Sequence, residues 1–144
     1  MKEGKAKILI AEDELLIAMD IKQKLEEDGY EVTSLVNTAL EAITKVETDM
    51  PDLILMDIQL SGSLTGMEAA DIISYKKNLP IIFLTNPLNE HIIAETKTRL
   101  QHAHLLKPIQ TKQLYSTVEK VLIKSRTKPE IANSKSTRPT SYTF

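Results

Sequence analysis

Cysteine is absent from this chain of 144 residues, so neither a disulfide nor a thiolate metal site can form. That agrees with a reducing compartment, and a cytoplasmic location is the expectation. Long apolar runs are missing too. The longest stretches, Leu53 to Met56 and Leu79 to Leu84, fall far short of the roughly 20 residues a membrane span needs. The opening Met1-Lys2-Glu3-Gly4-Lys5 has none of the apolar core of a signal peptide. Glycine is scarce: Gly4, Gly29, Gly62 and Gly66 are the whole complement, and none stands in a GxGxxG or GxxxxGK arrangement. The usual dinucleotide and nucleoside triphosphate cradles therefore find no support.

What remains has the balance of a soluble globular protein, with 42% hydrophobic and 26% charged residues and a length of about one domain. The net charge of −2 is unevenly spread. Residues 126–144 carry four basic groups and one acidic, or +3, which leaves −5 for the first 125. That last segment, rich in Ser, Thr and Pro and poor in apolar residues, reads as a disordered basic tail beyond a domain spanning residues 1–125.

Within the domain, five short apolar runs alternate with stretches of helical spacing. Strands are expected over Ala6–Ala11, Glu31–Val36, Leu53–Asp57, Ile81–Thr85 and His104–Lys107. The third and fourth are apolar at successive positions, as in strands buried on both faces of a parallel sheet. Leu114, Val118, Val121 and Leu122 form one stripe of an amphipathic helix, and Leu40, Ile43 and Val46 another. Thr38 with Glu41 has the form of a capping box, and Gly29 stands where a helix would end on a left-handed residue. Met19, Met50, Met56 and Met67 are read as core or loop packing, His91 and His102 as exposed. The order is (βα)5, an α/β sandwich around a parallel five-stranded sheet.

In such a sheet, ligands gather outside the carboxyl ends of the strands. Those ends carry Glu12-Asp13-Glu14, Asp57, Thr85 and Lys107-Pro108. Crowded carboxylates repel one another, and a cation resolves the repulsion. Oxygen donors without His or Cys suit a hard ion, Mg2+ better than a Ca2+ cage. A carboxylate can also attack phosphorus to give an acyl phosphate, and the charge that builds on the phosphoryl oxygens calls for cations and hydrogen-bond donors.

The four motifs Ile-Leu-Ile-Ala-Glu-Asp-Glu, Asp-Leu-Ile-Leu-Met-Asp-Ile, Ile-Ile-Phe-Leu-Thr and Leu-Leu-Lys-Pro, in that order over about Lys5 to Ser125, resemble the receiver domain of bacterial and archaeal response regulators. The segment Ser61-Gly62-Ser63-Leu64-Thr65-Gly66 after Asp57 resembles that of a subgroup often joined to sensor kinases. The resemblance implies a flavodoxin-like fold of strand order 2-1-3-4-5, an arrangement for which receivers are themselves a standard example. It implies Asp57 as phosphoacceptor, Glu12 and Asp13 as the acidic Mg2+ pair, Gln59 as a metal ligand through its backbone carbonyl, Thr85 as the switch hydroxyl and Lys107 as the phosphate-binding lysine. A cis peptide at Lys107-Pro108 follows as well. The implied role is a two-component phosphorelay switch that modifies only itself. The implied partners are a sensor histidine kinase or histidine phosphotransfer protein upstream and a protein bound through the fourth helix, fifth strand and fifth helix downstream. A homodimer is open, and no direct contact with DNA or membrane is expected.

Three departures stand out. The segment Ser61-Gly62-Ser63-Leu64-Thr65-Gly66 is one residue longer than in the commonest receivers and lacks their proline, which points to a mobile loop. Asn86-Pro87 follows Thr85 where a small residue is usual, so the phosphate's lifetime is open. His104 replaces the family's switch aromatic: its imidazole either makes the switch sensitive to pH or simply fills the space. Two other readings remain, a pseudo-receiver that never turns over phosphate and an aspartyl-nucleophile phosphatase. The second is opposed by the position of Asp57 after the third strand and by Gln59 in place of a second acid.

Overall fold

The computed structural model describes residues 6–87 and 102–126. Its elements are β1 (Lys7–Ala11), α1 (Leu15–Glu27), β2 (Glu31–Val36), α2 (Ala39–Asp49), β3 (Leu53–Asp57), α3 (Gly66–Lys76), β4 (Ile81–Thr85), β5 (Ala103–Leu106) and α4 (Thr111–Arg126). The helix expected between β4 and β5, with His91, and the tail from residue 127 lie outside the described residues. All strand pairs are parallel, in the order β2-β1-β3-β4-β5. This is the flavodoxin-like arrangement that the family resemblance implied, and the alternating pattern had pointed to its parallel sheet. The first strand starts one residue later than expected, and the fifth is shifted one residue towards the N-terminus.

Alternation along each strand builds two cores. Ile8 and Ile10 of β1, Leu53 and Leu55 of β3 and Ile82 and Leu84 of β4 face α1 and α4, against Ala18, Ile21, Leu25, Leu114, Val118 and Leu122. Leu9, Ala11, Ile54, Met56, Ile81 and Phe83 face α2 and α3. Every residue of β3 and β4 is buried. Each large apolar side chain there adds about 1.5 to 3 kcal/mol, so the strand ends that carry Asp57 and Thr85 issue from the most heavily anchored part of the molecule. On the edge strand β2, the ladder skips Thr33 in a bulge, which interrupts an otherwise open edge.

The stripe on α4 is as expected, with Leu114, Val118 and Leu122 buried and Val121 packed beside them. On α2 the expectation needs correction. Leu40 is 57% exposed, and the buried face is Ala39, Ala42 and Val46, with Ile43 partly covered. Ala39 and Ala42 stand on the buried face in place of Leu40, beside Val46. Met56 is in the core, but Met19 and Met50 are exposed. Met50 caps α2 in the left-handed conformation at φ 51°, so its side chain is turned away from the core. Gly29 has φ 94° just past α1, as its position suggested. The Thr38 hydroxyl accepts from the Glu41 amide at 3.1 Å, while the Glu41 carboxylate reaches back to Asn37 and not to Thr38. The complete capping box belongs to Thr65 and Glu68 at the start of α3.

Candidate functional site

Parallel strands paired in register bring their carboxyl ends to one edge. Asp57 closes β3 beside Leu84, and Thr85 closes β4 beside Leu106. The turn after β1 delivers Glu12 and Asp13, with the Glu12 amide bonded to the Val36 carbonyl at 2.9 Å. The turn after β5 delivers Lys107, whose amide donates to the Thr85 carbonyl at 2.8 Å. The peptide that follows, Lys107-Pro108, is cis. Together these turns bound a cleft of about 170 Å³ lined by Asp13, Glu14, Asp57, Ile58, Gln59, Thr85, Asn86 and Lys107.

The Lys107 ammonium is the hub. Its Nζ donates to Asp57 Oδ2 at 3.0 Å, pairs with Glu12 Oε1 at 2.9 Å and lies 3.6 Å from Glu14 Oε1. The other oxygen of Asp57, Oδ1, accepts from the Gln59 amide at 3.0 Å. Carboxylate oxygens of Glu12, Asp13 and Asp57 lie within 4.8 Å of one another, those of Glu12 and Asp57 buried and that of Asp13 exposed.

One ammonium does not balance this much negative charge. Burial, assisted by the charge of Asp57 and only partly offset by Lys107, pushes the Glu12 carboxyl up from 4.5 to about 7. Burial pulls the Lys107 ammonium down, but hydrogen bonds and charges from Glu12 and Asp57 outweigh it and leave its pKa raised. The cluster is short of positive charge, its donors are oxygens without imidazole or thiolate, and the buried Thr85 hydroxyl on the cleft wall has no hydrogen-bond partner among the described residues. These residues fit a hard divalent cation and an oxyanion beside it.

Gly66 brings the end of β3 and α3 together. Its amide donates to the Ile58 carbonyl at 2.8 Å, and a Cβ at that position would run into the carbonyl oxygen of Asp57. The loop before it is tied down at several points. Ser61 pairs with Thr38 in an isolated parallel bridge, its hydroxyl donates to Asp13 Oδ2 at 2.7 Å, and Thr65 is held in the capping box. A free, mobile loop is not what these contacts describe.

The structure brings together the predicted Glu12, Asp13, Asp57, Gln59, Thr85 and Lys107. His104 stands apart on β5, half-buried, its ring centroid 5.7 Å from that of Phe83. His102, expected to be exposed, is half-buried too and meets Phe83 edge-on at 5.7 Å. Burial lowers its pKa, against the opposing charge of Asp71. Sequence reasoning overlooked Gly66, Ser61 and the contact of Glu14 with Lys107. Only the Thr65-x-x-Glu68 signature in front of α3 could have flagged this corner.

Residues 8–119 match the family described as response regulator receiver domain, and the chain belongs to that family. It is 34% identical over 113 residues to the transcriptional regulatory protein PdtaR of Mycobacterium tuberculosis, an overlap that covers 78% of this chain and 55% of PdtaR. To the phyllosphere-induced regulator PhyR of Methylorubrum extorquens it is 34% identical over 117 residues, 80% of this chain and 43% of PhyR. Among solved structures, the signal receiver domain of a modulated diguanylate cyclase from Desulfovibrio desulfuricans G20 aligns with a TM-score of 0.80 at 31% identity, covering 87% of this chain and 99% of that domain. The response regulator PhyR of Brucella abortus aligns at 0.76 and 28%, covering 95% and 54%. The chain thus spans about half the length of the curated relatives it matches. No helix among the described residues is long and apolar enough to cross a membrane.

Proposed function

We propose that Asp57 is the phosphoacceptor of a two-component relay, receiving a phosphoryl group from a phosphohistidine on a sensor histidine kinase or a histidine phosphotransfer protein. The observation that carries this reading is the convergence of Glu12, Asp13, Asp57, Thr85 and Lys107 on one cleft. An Asp57 carboxylate oxygen attacks phosphorus as the bond from phosphorus to the donor imidazole breaks. The electron pair stays on that nitrogen, and the product on Asp57 is an acyl phosphate. Asp13, Asp57 and the Gln59 carbonyl, with Glu12 acting through water, would hold Mg2+, which would supply positive charge against the phosphoryl oxygens.

Lys107 already touches Asp57 Oδ2, so a small movement transfers its ammonium to a phosphoryl oxygen. The Thr85 hydroxyl supplies the neighbouring donor. Hydrolysis reverses the change when water attacks the same phosphorus and releases inorganic phosphate. Each phosphoryl group adds ~−1.5 to −2 charges, and drawing Thr85 and Lys107 towards it shifts the surface around β5 and α4, where a downstream protein binds. The donor docks beside the cleft. Leu15, Leu16 and Met19 of α1 are exposed there, next to a groove of about 380 Å³ that Pro108 and Ile109 help to line.

Incubation with acetyl phosphate and Mg2+, or with a phosphorylated kinase, adds the mass of one phosphoryl group to the wild type and none to Asp57→Ala. No gain on the wild type, or an equal gain on the variant, overturns the reading.

A further inference from the structure

We infer that Ser61 is a positioning residue for the metal site, orienting Asp13 through a hydrogen bond built into the β3–α3 loop; the inference rests on the phosphoacceptor reading above. Asp13 is the exposed member of the carboxylate trio, and among its polar neighbours the Ser61 hydroxyl donates to its Oδ2 at 2.7 Å. That is an ordinary distance for a hydroxyl on an oxygen acceptor and the long limit of the charge-assisted range. Glu12 and Asp57 are fixed by burial, by Lys107 and by backbone amides, with Glu12 Oε2 accepting from the Glu14 amide and Asp57 Oδ1 from that of Gln59. Asp13 enjoys no such burial, and a freely rotating carboxylate would have to be ordered each time a cation binds.

The serine is itself held in place. Its backbone pairs with Thr38, the N-cap of α2, and the next residue, Gly62, has φ 105°, a left-handed conformation that favours glycine. On the far side, the Thr65 and Glu68 capping box and the bond from the Gly66 amide to the Ile58 carbonyl anchor the loop to α3 and to the end of β3. The hydroxyl is therefore presented by a turn locked at both ends. One carboxylate oxygen of Asp13, Oδ2, is engaged by the Ser61 hydroxyl. Groups that hydrogen-bond a metal ligand in this way set its orientation and basicity. Loss of such a partner costs about 10-fold to 100-fold in metal affinity, and since both groups are exposed, about 10-fold is the figure expected for Ser61.

The test is calorimetric titration of Mg2+ into the unphosphorylated full chain, for wild type, Ser61→Ala and Ser61→Thr, alongside the Mg2+ concentration that gives half-maximal labelling by acetyl phosphate. Ser61→Ala weakens Mg2+ binding about 10-fold and raises the half-maximal concentration by the same factor. Ser61→Thr, which keeps the hydroxyl, stays near the wild type. Mg2+ affinity in Ser61→Ala within twofold of wild type, or a threonine variant as weak as the alanine one, overturns the inference and leaves the phosphoacceptor reading standing. A wild type that takes up neither Mg2+ nor phosphate overturns both.

Discussion

Replacing Glu12 by glutamine removes the most strained charge in the molecule and should change how metal-free stability depends on pH. The Glu12 carboxyl is buried, and its pKa stands at about 7 in the folded chain against an ordinary 4.5. Between those values the folded protein holds a proton that the unfolded chain has released. Stability therefore falls as pH rises through this window, and the full cost is present above pH 7. At 1.36 kcal/mol per unit, the gap between the two values amounts to about 3 kcal/mol. Lys107 stays protonated throughout, because its own pKa lies above the ordinary 10.5. The contact of Glu12 with Lys107 forms only as Glu12 ionises and is already contained in the value of about 7, so its loss in Glu12→Gln adds no separate pH dependence. The assay is urea unfolding followed by circular dichroism in excess EDTA from pH 5 to pH 8. Relative to the wild type, Glu12→Gln should gain about 2 to 3 kcal/mol across that range, part of the cost being already present at pH 5, and saturating Mg2+ should flatten the wild-type slope by favouring the ionised carboxylate. Parallel pH profiles for the two proteins, differing by less than about 0.5 kcal/mol in slope over the range, would refute the reasoning.

Two further outcomes follow from the same geometry. Gly66→Ala places a Cβ against the Asp57 carbonyl oxygen, so it should destabilise the fold by about 1 to 3 kcal/mol, the cost of overpacking, and slow labelling of Asp57; unfolding midpoints and acetyl phosphate labelling rates check both. Leu16→Ser, at a position 82% exposed on α1, should leave urea stability within about 0.5 kcal/mol of wild type. It should leave labelling by acetyl phosphate intact while slowing transfer from a phosphorylated kinase, and equal slowing with both donors would show that the patch does not dock the kinase.

The parts of this molecule that sequence reading reached are those where a local pattern has one physical cause. Unbroken apolar runs made β3 and β4 buried strands, and polar residues at the ends of such strands have nowhere to go but the ligand edge. Asp57, Thr85 and Lys107 were therefore legible from their places alone. The helix faces were less so. On α2 the contact surface is made by Ala39 and Ala42, which weigh little in an apolar count, while the more hydrophobic Leu40 points to solvent. Long-range pairs left no trace at all. Ser61 and Asp13 are 48 residues apart, and nothing in either neighbourhood announces that a loop will bring one hydroxyl onto one carboxylate. The same holds for Gly66, whose lack of a side chain makes sense only once α3 is seen to abut the end of β3.

The register between strands has a consequence for how such a molecule can be altered. Asp57 sits opposite Leu84, Thr85 opposite Leu106, and Lys107 hangs by its amide from the Thr85 carbonyl. The spacing of these three groups is thus written in the hydrogen-bond ladder and not in the connecting segments. Lengthening or exchanging a connection at the opposite edge, such as the one that carries Pro80 into β4, leaves this spacing untouched. Deleting a single residue inside β4 would turn its outward threonine to the wrong side and interchange the two cores at once. The chemistry tolerates a redesigned periphery and forbids a one-residue slip in its centre.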